Sequence, residues 1–119
     1  MGGPSPEYDV SRKTGAMVSR YLDRKKYSVT PLLVSKQGKW PIPLKVVKAC
    51  FDIVFIAMHG AYGEDGTVQR ILSKAKIPFT GSSVNASRIG MDKILSARHF
   101  TQKNLLVPDF ININSLSTL

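Results

Sequence analysis

A chain of 119 residues suits one small domain, and an apolar fraction of 43% argues against intrinsic disorder. No apolar run approaches the roughly 18 to 20 residues that a bilayer span needs. MGGPSPEYDV lacks the basic-then-apolar pattern of a signal peptide. A single cysteine, Cys50, excludes an internal disulfide framework and a multi-cysteine zinc site. Its apolar neighbours Ala49 and Phe51 predict a buried, inert thiol. Together these features predict a soluble cytoplasmic protein. The formal net charge of +9 raises a nucleic-acid partner. The basic residues are scattered, however, without interleaved aromatics or a nucleic-acid motif. A phosphate-bearing small molecule or plain solvation accounts for the charge equally well, which leaves a stand-alone basic nucleic-acid-binding module as an alternative.

In chain order, GGPSPEYDVS at 2–11 reads as a loop because two glycines and two prolines disfavour a regular element. Ser11 is then a candidate N-cap. A helix follows over RKTGAMVSRYLDRKK, with Val10, Met17 and Tyr21 on one side. Gly15 weakens it by about 1 kcal/mol relative to alanine and permits close packing on a sheet. Ser28–Val34 reads as a strand, and Pro31 places it at an edge, because proline donates nothing to a ladder. Gln37-Gly38-Lys39-Trp40 is a turn. Residues 41–50 are ambiguous, a short helix being one choice.

The run Ile53 to Ala57 predicts a strand buried on both faces. His59 comes next, then glycines at 60, 63 and 66 with Glu64 and Asp65 between the last two. The helical pattern of Thr67–Lys76 begins directly after. Buried strand, Gly-rich turn and helix start make a βα unit of a parallel sheet, and ligands sit at the carboxyl ends of such strands. The bland alternative stays open. The glycines serve the turn alone, and the acids simply favour the helix dipole.

Ile77–Thr80 is a brief extended piece, Gly81-Ser82-Ser83 a second small-residue turn, and Asn85–Gly90 a single helical turn. Asp92 caps a longer helix with Ile94, Leu95 and Phe100 inward and Asn104 at its end. VPDFINI at 107–113 is a last extended piece, and the tail NSLSTL carries little signal. Alternating strands and helices imply a three-layer α/β domain with a parallel sheet.

These residues resemble a known family. GGPSPEYDVS at 2–11, TG at 14–15, FDIVFIAMHGAYGEDGTVQ at 51–69, IPFTGSSVNAS at 77–87, MDK at 91–93 and VPDF at 107–110 are similar to the N-terminal domain of D-alanine–D-alanine ligases. Those are ATP-grasp enzymes of peptidoglycan synthesis. The resemblance implies a Rossmann-like domain over residues 1–107, with 108–119 starting the connection to an ATP-grasp domain. It also implies ATP-dependent joining of two D-alanines through an acyl phosphate.

By the same resemblance, Glu7 lies near the first D-alanine's ammonium, His59 near its carboxylate, and Glu64 supports that site. Lys93 lies near the ATP phosphates. A carboxylate pairs with an ammonium by a charge-assisted hydrogen bond, and an imidazole donates to a carboxylate. Glu64 is expected to fix the His59 tautomer. ATP and Mg2+ are the implied cofactors, bound mostly outside this stretch, and a homodimer is implied for the full-length enzyme.

The departures are specific. The family's first strand lies before Gly2, its ATP-grasp portion lies after Leu119, and Ala97 stands where a basic residue is usual, with Arg98 adjoining. The expectation is an incomplete sheet and a chain inactive by itself. A D-alanine–D-lactate ligase is an alternative within the family, because the acceptor site lies elsewhere.

Overall fold

In a computed structural model of the chain, residues 1–111 are described. Five helices succeed one another: α1 (Tyr8–Tyr21), α2 (Leu44–Cys50), α3 (Thr67–Lys74), α4 (Val84–Met91) and α5 (Lys93–Gln102). Between them run extended segments. Among the described residues they make only two isolated β-bridges, Gly2 with Val34 and Val54 with Phe79, both parallel. The parallel sense matches the expected α/β arrangement, but no multi-residue strand accompanies it.

The core gathers on one side of these segments. Val34, Val47, Met58, Val68, Leu72 and Ile77 are buried, with Trp40, Ile42, Phe51, Val54 and Phe79 packed against them. Helices α2 and α3 supply Val47, Val68 and Leu72. The i, i+4 spacing of Val68 and Leu72 puts both on one face of α3. Each such fully buried side chain contributes about 1.5–3 kcal/mol.

Helix α1 adds nothing to this cluster, and here the structure corrects the sequence. The helix begins at Tyr8, inside the expected loop, with Glu7 as its N-cap. Ser11 is therefore not a cap but a helix-interior residue, fully buried. The expected inward side, Val10, Met17 and Tyr21, is exposed. The buried face is instead Ser11 and Gly15. A Cβ on Gly15 would lie 2.5 Å from the Met1 sulfur and 2.8 Å from its Cβ, so the helix approaches the N-terminal segment through its smallest residues.

Other expectations meet mixed fortunes. A turn forms two residues earlier than the expected 37–40, over 35–38, with Gly38 N–H donating to Ser35 O. The ambiguous stretch resolves as α2, whose buried residue is Val47; this leaves Cys50, at its last position, exposed rather than buried. Ile53 and Phe55 are half exposed, at 52% and 50%. The expected double burial of that strand fails on one face: Val54 and Ile56 pack against the core while the alternating Ile53 and Phe55 stay half exposed.

Helix α4 is longer than the expected single turn, starting at Val84 on a Ser83 cap that accepts from Ala86 N–H. Asp92 caps α5 as expected, its Oδ1 accepting from Ile94 and Leu95 N–H at 2.9 Å each. Phe100 is exposed rather than inward, on a short helix that packs against α4. Asn104, in the left-handed region at φ 57°, ends α5. Its N–H donates to Thr101 O, and Leu105 N–H donates to Phe100 O, the two bonds of a Schellman closure. The extended piece expected at 107–113 makes no ladder over 107–111, and the remainder, with the tail, lies outside the described residues.

Candidate functional site

The site is built where the N-terminus of α1 meets the loop after Ala57. Two anchors set the distance between them. Ser11 Oγ donates to Ala57 O at 2.6 Å and accepts from Gly2 N–H at 2.7 Å. Both bonds are buried, where an unpaired polar group is costly. They fix α1 against the end of the 53–57 segment and thereby position the next residues, Met58, His59 and Gly60.

Glu7 and His59 both border this junction. Gly60 has φ 69°, and a Cβ there would fall 2.7 Å from Glu7 Oε1 and 2.8 Å from Ser5 Oγ. Only glycine lets the backbone pass so close to the carboxylate while holding a left-handed conformation. Thr14, two turns into α1, holds the imidazole, with its Oγ1 2.8 Å from His59 Nε2. The structure thus brings Glu7 and His59 to one edge of the fold.

Glu64 reaches the same place differently from the expectation. Its Oε1 lies 3.9 Å from His59 Nδ1, beyond hydrogen-bonding range. Its Oε2 accepts instead from Gly60 N–H at 2.7 Å, while Glu64 N–H donates to Gly60 O at 2.9 Å. Glu64 therefore staples the glycine loop, and Thr14 is the hydrogen-bond partner that orients the imidazole. Sequence reasoning misses Thr14 as a site residue. Its only signal is the TG pair at 14–15, which carries no role by itself.

Asp65 completes the loop. Its carboxylate accepts from Tyr62 N–H at 2.9 Å and from Thr67 N–H at 2.8 Å, across the start of α3. Burial pushes this carboxyl up, but hydrogen bonds from Tyr62 and Thr67 outweigh it and hold it below the usual range. Trp40 Nε1–H donates to the Tyr62 hydroxyl at 3.2 Å, tying the loop to the core.

Beside the loop lies a hollow of about 390 Å³, bordered by Glu64, Gln69, Gly81, Ser82, Ser87 and Met91. Gln69 donates to Gly63 O at 2.8 Å, and its buried Oε1 has no partner among the described residues. Lys93 stands two residues beyond Met91, at the first position of α5, and is exposed. No hydrogen bond or ion pair among the described residues joins it to Glu7, His59 or Glu64. Nor does any group of three or more His, Cys, Asp or Glu side chains converge there. The described residues thus offer Mg2+ no cluster of ligands.

Comparison with known proteins decides the relationship. A family model described as the D-Ala D-Ala ligase N-terminus matches residues 41–82. The D-alanine–D-alanine ligase of Syntrophotalea carbinolica is 39% identical over 110 residues, covering 92% of this chain and 35% of that protein. The chain is related to the N-terminal part of the D-alanine–D-alanine ligases. A second ligase, from Deinococcus radiodurans, is 37% identical over 80% of this chain and 34% of its own length.

Among solved structures, the Bacillus anthracis ligase has a TM-score of 0.75 at 37% identity, covering 93% of this chain and 36% of that one. The VanG D-Ala:D-Ser ligase of Enterococcus faecalis has a TM-score of 0.79 at 24% identity, covering 92% and 42%; that likeness concerns the fold alone. The chain spans about a third of the length of the curated ligases it matches. No helix among the described residues is long and apolar enough to cross a membrane.

Proposed function

We propose that this chain is the part of a cytoplasmic D-alanine–D-alanine ligase that holds the first D-alanine, within a three-layer α/β domain over residues 1–107. The segment 108–119 leads toward an ATP-grasp domain that supplies nucleotide, Mg2+ and the acceptor site. The observation that carries this reading is the approach of the Glu7 carboxylate to Gly60, beside an imidazole held by Thr14. Glu7 takes the substrate ammonium by a charge-assisted hydrogen bond. His59 Nδ1, which has no hydrogen-bond partner among the described residues, donates to the substrate carboxylate when it carries the proton.

Fixing both ends of the amino acid orients the carboxylate for phosphorylation, and orientation supplies much of such a reaction's acceleration. Glu64 and Asp65 hold the loop in shape. Lys93 offsets phosphate charge once ATP is bound. ATP, when bound, supplies the phosphoryl group that activates the carboxylate. Support for ATP as the co-substrate comes from a second Bacillus anthracis ligase structure, complexed with ATP, that is 33% identical over 99% of this chain. The full-length enzyme is proposed to act as a homodimer.

The test is a chimera in which this chain replaces the matching stretch of the Bacillus anthracis ligase. It should form D-alanyl-D-alanine from D-alanine and ATP, while E7Q and H59A chimeras should lose most of that activity. The 119-residue chain by itself should release no phosphate. A folded chimera indifferent to both substitutions would overturn the assignment.

A further inference from the structure

The two ring nitrogens of His59 face different neighbours. Thr14 Oγ1 lies 2.8 Å from Nε2, while Nδ1 lies 3.9 Å from Glu64 Oε1. A neutral imidazole carries one proton, so one nitrogen donates and the other accepts. A hydroxyl serves in either role, and an ionised carboxylate only accepts. With the proton on Nε2, the bare Nδ1 would turn its lone pair toward the Glu64 carboxylate. The Thr14 hydroxyl proton would then have no acceptor among the described residues. With the proton on Nδ1, Thr14 donates to Nε2, and the N–H dipole points toward negative charge. Glu7 brings a second carboxylate to this junction. No lysine or arginine among the described residues pairs with either acid.

The helix around Thr14 gives an independent sign. A threonine inside a helix commonly donates its hydroxyl to the carbonyl one turn back. Thr101 in α5 does so, to Ala97 O at 3.0 Å. Thr14, in the interior of α1, makes no such bond among the described residues, and its hydroxyl meets the imidazole instead. Its place is fixed by its neighbours. Ser11, one turn earlier, and Gly15, the next residue, form the buried face of α1. Ser11 Oγ also holds Ala57 O, two residues before His59. Both partners of the Thr14–His59 bond are therefore anchored by the same contact.

We propose that Thr14 is a positioning residue that donates to His59 Nε2 and holds the neutral ring as its Nδ1–H tautomer. That role rests on His59 Nδ1 meeting the substrate carboxylate, as proposed above, and adds that the donor there is an uncharged N–H. An imidazolium would be drawn to Glu64. A neutral N–H at 3.9 Å is beyond hydrogen-bonding range of that acid and stays free for the carboxylate of the amino acid.

The experiment is ring-nitrogen NMR of the 119-residue chain, isotope-labelled at its histidines, at about pH 8.5, where an ordinary imidazole is uncharged. H99Q removes the other histidine and leaves a single ring. Couplings from the ring C–H protons tell the N–H nitrogen from the bare one, whose shift is much higher. The expected spectrum has Nδ1 protonated and Nε2 bare. T14V keeps the branched shape without the hydroxyl, and T14A removes the hydroxyl at no cost in helix propensity. Each should move both shifts toward a tautomer average, and T14S should restore the parent pattern. A merely structural role for Thr14 would change the melting temperature and leave the tautomer alone. A parent ring protonated at Nε2, or folded T14V and T14A rings identical to the parent's, would overturn the proposal. A ring in the Nδ1–H form whose signals ignore added D-alanine would uphold the tautomer and sink the substrate assignment, so the two failures are distinguishable.

Discussion

Replacing Ser11 with alanine isolates the contact on which the site's geometry depends. The hydroxyl accepts from Gly2 N–H at 2.7 Å and donates to Ala57 O at 2.6 Å, and the residue is fully buried. Alanine fits the same space but leaves both main-chain groups without that partner. Each buried group so orphaned costs about 1–3 kcal/mol, giving roughly 2–6 kcal/mol for the pair. That is a large share of the roughly 5–15 kcal/mol that holds a typical domain folded.

Equilibrium unfolding in urea, followed by circular dichroism, reads the loss directly. With a slope of about 2 kcal/mol per molar, the middle of the usual range, the midpoint should fall by roughly 1–3 M while the slope stays unchanged. Arg12→Ala is the control. It removes an exposed ion pair with Asp9 at 3.3 Å and should cost no more than about 0.5 kcal/mol. If S11A unfolds within about 0.5 kcal/mol of the parent, Ser11 does not fasten α1 to the loop, and the derivation of the site's shape fails with it.

Gly60→Ala should abolish binding of D-alanine, because a methyl group would displace the Glu7 carboxylate, and the left-handed backbone adds about 1–3 kcal/mol of strain; an unaffected affinity would contradict the close approach. Asp65→Ala should destabilise the start of α3 by about 1 kcal/mol, measurable as a lower melting temperature. Because the Asp65 carboxyl is held below its usual value of 3.8 in the folded chain, its contribution is complete above that pH and is lost as pH falls through the lower folded value. The D65N variant should therefore lose less stability than the parent over that acid window. Burial lowers the Met1 ammonium from its usual 8.0, so the unfolded chain binds the proton more tightly. Stability should then rise as pH climbs through the folded value toward 8.0, and acetylation of the amino group should remove that rise.

Much of the helix punctuation was legible in the sequence, because caps act locally. Asp92 before α5 and Asn104 after it stand where their types predict, and α3 obeys its apolar spacing. The face of α1 was not legible. Apolar spacing points to Val10, Met17 and Tyr21, whereas close approach selects the small residues Ser11 and Gly15, and size rather than hydropathy carries that signal. The run at 53–57 reads as doubly buried because its residues are uniformly apolar, yet burial also depends on which segments flank it, which a local window does not contain. His59 and Glu64 stand out from the loop's composition. Thr14 does not, since a threonine 45 positions from His59 gives no local sign of the imidazole it holds.

The central claim is that Glu7 and His59 hold the two charged ends of one amino acid. An NMR titration of the isotope-labelled chain with D-alanine tests it directly, through the Gly60 amide and the His59 ring. Both signals should shift together and saturate in the millimolar range, about −4 kcal/mol, and E7Q should erase the response at both positions. Shifts absent at saturating D-alanine, or preserved in E7Q, would contradict the account.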